Sequence, residues 1–271
     1  MLKLWFTGFF VLMIWVQVAQ ASLMITPKRV IFEPRDRAEV VNVVNDSNQT
    51  KTYRIDLINM LQKYGGGLIV KPNKKQLQQL NSAKRMIRFS PRQMTLAPGQ
   101  AQKIRIGVRR PAGLSSGEYR THMLFTELPP PNLITKQNDA KIQLHILMSF
   151  SIPIFVRATD FKAKVDMEHV IFVPNKLSSN GKPQIQFDLK RSGEFGVNGR
   201  VDVYWRSLDS GNYRNVGFFN NVAIYRENTF LKNNRVNLEM PTLKKGYYKL
   251  VYKGGKAFNN QVFVKKSFVY K

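Results

Sequence analysis

Apolar and polar positions alternate with period two through most of the chain beyond residue 22. Tyr53-Arg54-Ile55-Asp56-Leu57 and Ile104-Arg105-Ile106-Gly107-Val108 each place their apolar side chains on one face. That spacing is the mark of a strand with one side toward a core. The longest alternation sets Ile142, Leu144, Ile146, Met148, Phe150, Ile152 and Ile154 on a single face of a strand running from Lys141 to Arg157. Turn chemistry separates the runs, at Asn45-Asp46-Ser47-Asn48, Tyr64-Gly65-Gly66-Gly67, Ala97-Pro98-Gly99 and Pro111-Ala112-Gly113. The helix-like piece is Lys74 to Lys84, polar and basic, read as a loop with one or two turns.

After Arg157 a second strand-rich set follows: Gln184–Leu189, Gly199–Trp205, Val222–Tyr225, Arg235–Leu238, Tyr247–Tyr252 and Gln261–Val269. This is more than one sandwich of ~100 residues holds. The pattern therefore predicts an all-β protein of two antiparallel sandwiches, residues 22–157 and 158–271, joined near Arg157 to Phe161. The joint is short and carries apolar residues, so the two should pack at a fixed angle with a cleft between them.

The N-terminus sets the compartment. Lys3 gives a positive start, an apolar stretch runs from Leu4 to Val18, and Ala19-Gln20-Ala21 supplies a small-x-small cleavage pattern. The stretch is shorter than the ~20 residues that a membrane-spanning helix needs, so residues 1–21 read as a cleaved signal peptide and the mature chain as exported. The sequence has no cysteine, which excludes disulfides and thiolate metal sites, so burial alone must hold the fold. Lys and Arg number 43 against 17 Asp and Glu, a formal charge of +26. Such an excess raises nucleic acid as a partner, but export argues against it. An acidic protein client, an anionic envelope surface or plain solvation of the surface remain.

Catalytic signatures are missing. There is no G-x-S-x-G elbow, phosphate loop, H-E-x-x-H or cysteine nucleophile, and His122, His145 and His169 lack ligand spacing. Neither an enzyme nor a cofactor is expected. What stands out is the strand from Lys141 to Arg157. It is longer than a typical strand of ~5–6 residues, is uncharged from Ile142 to Ile154, and contains Pro153, which suits an edge. Apolar edges are normally blunted with charge. This one is either a core strand packed on the opposite sheet or a strand kept ready to pair with another chain.

Five short motifs, in order, resemble the PapD-like periplasmic pilus chaperones. They are Arg29-Val30-Ile31-Phe32, Leu96-Ala97-Pro98-Gly99-Gln100, Gly117-Glu118-Tyr119-Arg120, Glu127-Leu128-Pro129-Pro130 and Ile154-Phe155-Val156-Arg157. The resemblance covers the first sandwich and implies two immunoglobulin-like domains. It also implies a mechanism, donor-strand complementation: the chaperone lends an edge strand to a pilin-like subunit that lacks one, then delivers it to an outer-membrane usher for fibre assembly. By register, the residues filling the client's groove would be Leu144, Ile146 and Met148. Such an edge is also open to self-capping by a second copy, giving a dimer without client.

The resemblance further implies two cations in the cleft that anchor the client's terminal carboxylate. Arg29 matches the first, but Pro153 occupies the place of the second, a lysine, which suggests an archaic or alternative branch. Glu118 corresponds to a cleft carboxylate that pairs with the arginine matched by Arg157. Arg120 shares a strand face with Glu118, so Arg120 is the expected substitute for the lysine, alongside Arg29. The rival reading is an exported two-domain adhesin or envelope protein that holds anionic polymers through basic and aromatic residues such as Tyr204-Trp205-Arg206 and Tyr213-Arg214.

Overall fold

The computed structural model describes residues 23–130, 146–209 and 211–271. The expected signal peptide, His145 and the first part of the long apolar row, with Ile142 and Leu144, lie outside the described residues. The first eleven strands are β1 (Met24–Thr26), β2 (Val30–Phe32), β3 (Ala38–Val44), β4 (Lys51–Ile58), β5 (Leu61–Gln62), β6 (Leu68–Ile69), β7 (Ile87–Ser90), β8 (Gln93–Leu96), β9 (Ala101–Val108), β10 (Glu118–Leu128) and β11 (Ser149–Arg157). The helix-like piece is the single turn α1 (Lys74–Leu77), closed at its start by a capping box between Asn73 and Gln76.

Two sheets face each other, β1-β3-β9-β7 and β2-β11-β10-β4-β8. Period two explains the packing. Val41 and Val43 in β3 and Ile104 and Ile106 in β9 point in from one sheet, and Tyr53, Ile55, Phe125 and Ile154 point in from the other. All are buried. The second sandwich has its own core and its own strands: β12 (Lys164–Val173), β13 (Gln184–Ser192), β14 (Val197–Arg206), β15 (Arg214–Ile224), β16 (Phe230–Asn237), β17 (Gly246–Gly254) and β18 (Val262–Tyr270). Its sheets are β12-β13-β16 and β15-β14-β17-β18. The architecture is thus two immunoglobulin-like β-sandwiches in series. Strand β12 escaped the sequence pattern because a bulge interrupts its pairing between Glu168 and Ile171. His169 there takes φ 50°, and Ile171 is turned to solvent.

The long apolar row divides in two. Antiparallel pairing of β11 with β10 runs from Glu118↔Arg157 to Thr126↔Ser149, and along it Phe150, Ile152 and Ile154 pack into the first core. The strand assignment ends at Ser149, one further backbone bond runs from the Glu127 N–H to Met148 O at 3.1 Å, and the register then brings Pro129, which has no N–H, opposite Ile146. Residues 146–148 carry no strand assignment, and Ile146 and Met148 are 74% and 45% exposed. The expectation of one uniform row is corrected: half is core and the described remainder is bare. On its other side β11 meets β2 in parallel only at Ile154, Phe155 and Val156. Among the described residues Ser149 to Pro153 therefore form a free edge, and Pro153 is the last residue of it.

Close approach of β14 and β17 demands a glycine. A Cβ on Gly199 would press against the carbonyl oxygen of Lys253 on the neighbouring strand. Gly199→Ala should lower stability by about 1–3 kcal/mol, since the backbone must shift to admit the methyl group. Gly65→Ala, where a Cβ meets nothing, should be near neutral. Urea midpoints of the two variants check this, and equal midpoints would contradict it.

Candidate functional site

The cleft is built on the first residues of β10 and the last of β11, which lie opposite one another at Glu118↔Arg157. Arg157 is 2% exposed. Its Nε donates to Glu118 Oε2 at 3.5 Å and its Nη1 to Glu33 Oε1 at 2.6 Å, while its guanidinium lies over Phe161 and Phe258 of the second sandwich at 4.9 and 5.1 Å. The other oxygen of Glu118 accepts from the Gly196 N–H at 3.0 Å, across the domain boundary. Burial pushes the Glu118 carboxyl above the usual range, and the Arg157 charge, the Gly196 N–H and Arg29 act against that rise.

Two residues further along β10, on the same face, Arg120 reaches the second sandwich as well. It is 3% exposed. Its Nη2 donates to the Met60 carbonyl at 3.0 Å and to the carboxylate of Glu227, and its guanidinium lies 3.8 Å from the Tyr225 ring centre. Glu227 also accepts from the Gln62 N–H at 3.0 Å. The β5–β6 hairpin that carries Gln62 is fixed in turn to the second sandwich. Gln62 Nε2 donates to Ala223 O at 2.7 Å, Tyr225 N–H donates to Gln62 Oε1 at 2.8 Å, and Lys232 N–H donates to Tyr64 O at 3.2 Å. Period two thus placed Arg120 in the cleft, but the carboxylate it holds belongs to this chain. The expectation that Arg120 stands free as a second anchor is corrected. Its Nη1 remains buried without a hydrogen-bond partner.

Arg29, immediately before β2, is in a different condition. Its guanidinium lies 5.0 Å from the Phe155 ring centre, and among the described residues no carboxylate or carbonyl pairs with it. Burial lowers its pKa, opposed by Tyr225, Glu118 and Tyr252, while the Arg120 charge lowers it further. Tyr225 stacks edge-on with both Phe155 and His122. His122, opposite Pro153 in the ladder, is buried with both ring nitrogens unpartnered. Burial and the charges of Arg120 and Arg29 push it down to about 3, so it is neutral. Arg157 takes Glu33 and Glu118, and Arg120 takes Glu227. Among the described residues a half-buried arginine without a counter-ion remains, beside polar groups that still lack partners. Chemically this is a place for a carboxylate.

Sequence reasoning missed Glu33, Gln62, Tyr225 and Glu227, which lie in turns or short strands without a motif. No protein-family model matches the chain, and no curated protein matches it in sequence. Among solved structures the chain is similar to pilus chaperones. It matches the Escherichia coli chaperone DraB at 14% identity and TM-score 0.46, over 92% of this chain and 96% of that one. It matches the CsuC–CsuE chaperone–tip adhesion subunit complex, from archaic chaperone–usher Csu pili of Acinetobacter baumannii, at 14% and 0.44, over 92% and 98%. It matches the Pseudomonas aeruginosa CupB2 chaperone at 11% and 0.44, over 91% and 98%. At this level the likeness concerns the course of the chain and says nothing of individual residues.

The neutral, buried state of His122 makes stability depend on pH. Its folded pKa, about 3, lies below the ordinary ~6.5 of the unfolded chain, so the unfolded state binds the extra proton between those values. Stability from this group is intact above pH ~6.5 and is lost as pH falls toward 3, by up to about 1.4 kcal/mol per unit. His122→Phe should therefore raise the urea midpoint relative to wild type more at pH 5 than at pH 7.5. An identical difference at both pH values would contradict a neutral His122.

Proposed function

We propose that the protein is a periplasmic chaperone for pilin-like subunits, which it holds by donor-strand complementation and passes to an outer-membrane usher. The observation that carries this reading is Arg29, a partly desolvated cation with no counter-ion among the described residues, set at the foot of an unpaired strand edge. Along that edge Ser149 to Pro153 offer unused backbone groups, and past it Ile146 and Met148 stand bare. A client strand laid along the edge with its terminal carboxylate at Arg29 would run beside β11 from Pro153, where the pairing with β2 ends, toward Met148. That is five steps, or roughly 17 Å of extended chain, a natural length for one strand.

In this reading alternate side chains at Leu144, Ile146 and Met148 fill the client's groove, each burial contributing ~1.5–3 kcal/mol. Main-chain hydrogen bonds complete the client's sheet. Glu118 with Arg157 and Glu227 with Arg120 hold the angle of the two sandwiches, so that Arg29 meets the carboxylate in place. The lysine expected from the resemblance has no direct substitute. Near Arg29, whose charge acts on both residues, Arg120 Nη1 and both His122 ring nitrogens are buried without hydrogen-bond partners.

The arginines should separate cleanly. Arg29→Ala should cost on the order of 2–5 kcal/mol in client affinity while the free protein keeps its stability. Arg29→Lys should rescue part of it, since a point charge does not reproduce the planar fork. Arg120→Ala should instead destabilise the free protein by roughly 3–5 kcal/mol, because it leaves Glu227 buried without its cation. The readouts are urea unfolding of each variant and periplasmic accumulation of a co-expressed fibre subunit encoded beside it. Normal accumulation with Arg29→Ala or with Ile146→Asp would overturn the reading.

A further inference from the structure

The second sandwich carries a face that neither the cleft nor the edge strand uses. In the β15-β14-β17-β18 sheet, Val201, Val203, Tyr248, Leu250 and Tyr252 point into the core. The alternate positions point out and bring cations and tyrosines together: Arg206↔Tyr247 and Tyr204↔Lys249 are cross-strand partners. Arg206 lies 4.1 Å from the Tyr247 ring centre and 5.5 Å from that of Tyr213. Lys249 lies 4.1 Å from Tyr213 and 5.1 Å from Tyr204. Lys253 in β17 and Lys265 in β18 extend the same face.

Charge on this face is unbalanced. Its outward acidic side chain among the described residues is Asp202, already held by Arg200 at 2.7 Å and by Asn215 at 3.1 Å. No carboxylate pairs with Arg206, Lys249, Lys253 or Lys265 among the described residues. A folded protein does not need such a face for its own stability, because like charges repel and the rings offset only part of that cost.

We propose that this sheet face docks the protein on an anionic bilayer surface. A pleated sheet offers a broad, shallow face, which suits a plane of headgroups better than a compact ligand. Unpaired Arg and Lys near such a surface are attracted additively by its negative potential. Tyrosine is a residue of the interface, with an apolar ring and a wet hydroxyl, and Phe218 and Val269, both nearly half exposed, lie on the same side. The ring geometry selects against the main alternatives. Sugars and nucleic-acid bases bind by stacking on open ring faces, whereas Tyr204, Tyr213 and Tyr247 each have a cation over a face. The patch centred on Arg206 and Tyr247 lies seven residues along β14 from Gly199, roughly 23 Å toward the end away from the cleft. A docked molecule would keep Arg29 and its edge strand free, so this surface stands independently of the chaperone reading.

The test is co-sedimentation of the full-length protein with vesicles of pure phosphatidylcholine or of phosphatidylcholine with phosphatidylglycerol. Binding should require the anionic lipid and should weaken as salt shortens the Debye length below ~10 Å. The triple variant Lys249→Glu, Lys253→Glu, Lys265→Glu should lose at least about tenfold in partition. Lys74→Glu, Lys75→Glu, Lys84→Glu, with the same change in net charge on the first sandwich, should bind nearly as wild type. Triple replacement of the three face lysines by glutamine, with circular dichroism to confirm folding, separates charge from disruption. Absence of binding to anionic vesicles overturns the proposal, as does equal loss in both charge-reversed proteins. So does retention on an immobilised acidic polysaccharide that depends on the face while vesicles stay unbound.

Discussion

Three arginines meet where the two sandwiches touch, and the way their charges are shared governs the rest of the molecule. Arg157 is taken by Glu33 and Glu118, and Arg120 by Glu227. A buried ion pair adds little net stability, but breaking one is expensive because the remaining charge is stranded out of water. These pairs therefore act as locks on geometry. Glu118 also accepts the Gly196 N–H, and Glu227 also accepts the Gln62 N–H, so each carboxylate clamps one sandwich to the other. Once both are committed, Arg29 is left without a counter-ion among the described residues.

The same arrangement explains why β11 can end as a free edge without unravelling. Its C-terminal part is doubly held, by β10 on one side and β2 on the other, and Ile154, Phe155 and Val156 are buried. Toward Ser149 β10 alone holds it among the described residues, and the last contacts are those of Met148 with Glu127: the Glu127 N–H donates to Met148 O at 3.1 Å and the Met148 N–H to Glu127 Oε2 at 3.3 Å. Strand pairing thus thins from two sides to one along β11 from the cleft outward while apolar exposure rises. A docking strand would find a fixed point at the cleft and exposed apolar side chains beyond it. Met148 suits that end, because methionine adjusts its shape to what it packs against.

Much of the scaffold was legible in the sequence because period two is a direct consequence of the pleat. Tyr53, Ile55, Ile104 and Ile106 were marked as core by alternation alone, and they are buried. The same argument put Glu118 and Arg120 on one face, and both enter the cleft. What alternation could not reveal was which carboxylate Arg120 meets, because Glu227 lies 107 residues away in a turn and the pairing is set by domain packing. With 17 acidic residues against 43 basic ones, a carboxylate in a tight turn was a scarce counter-ion, and that scarcity was the available hint. The bulge at His169 hid β12 for a related reason: one extra residue shifts the period, and the pattern is lost.

The proposal that a client's terminal carboxylate supplies Arg29 with the counter-ion it lacks among the described residues can be tested directly. A synthetic peptide copying the last strand of a neighbouring fibre subunit, with either a free carboxylate or a C-terminal amide, tests it without altering the protein. Isothermal titration should show the amide binding at least about 30-fold more weakly, the lower end of what removing one partner of a desolvated charge pair costs. Equal affinity for the acid and the amide would contradict it.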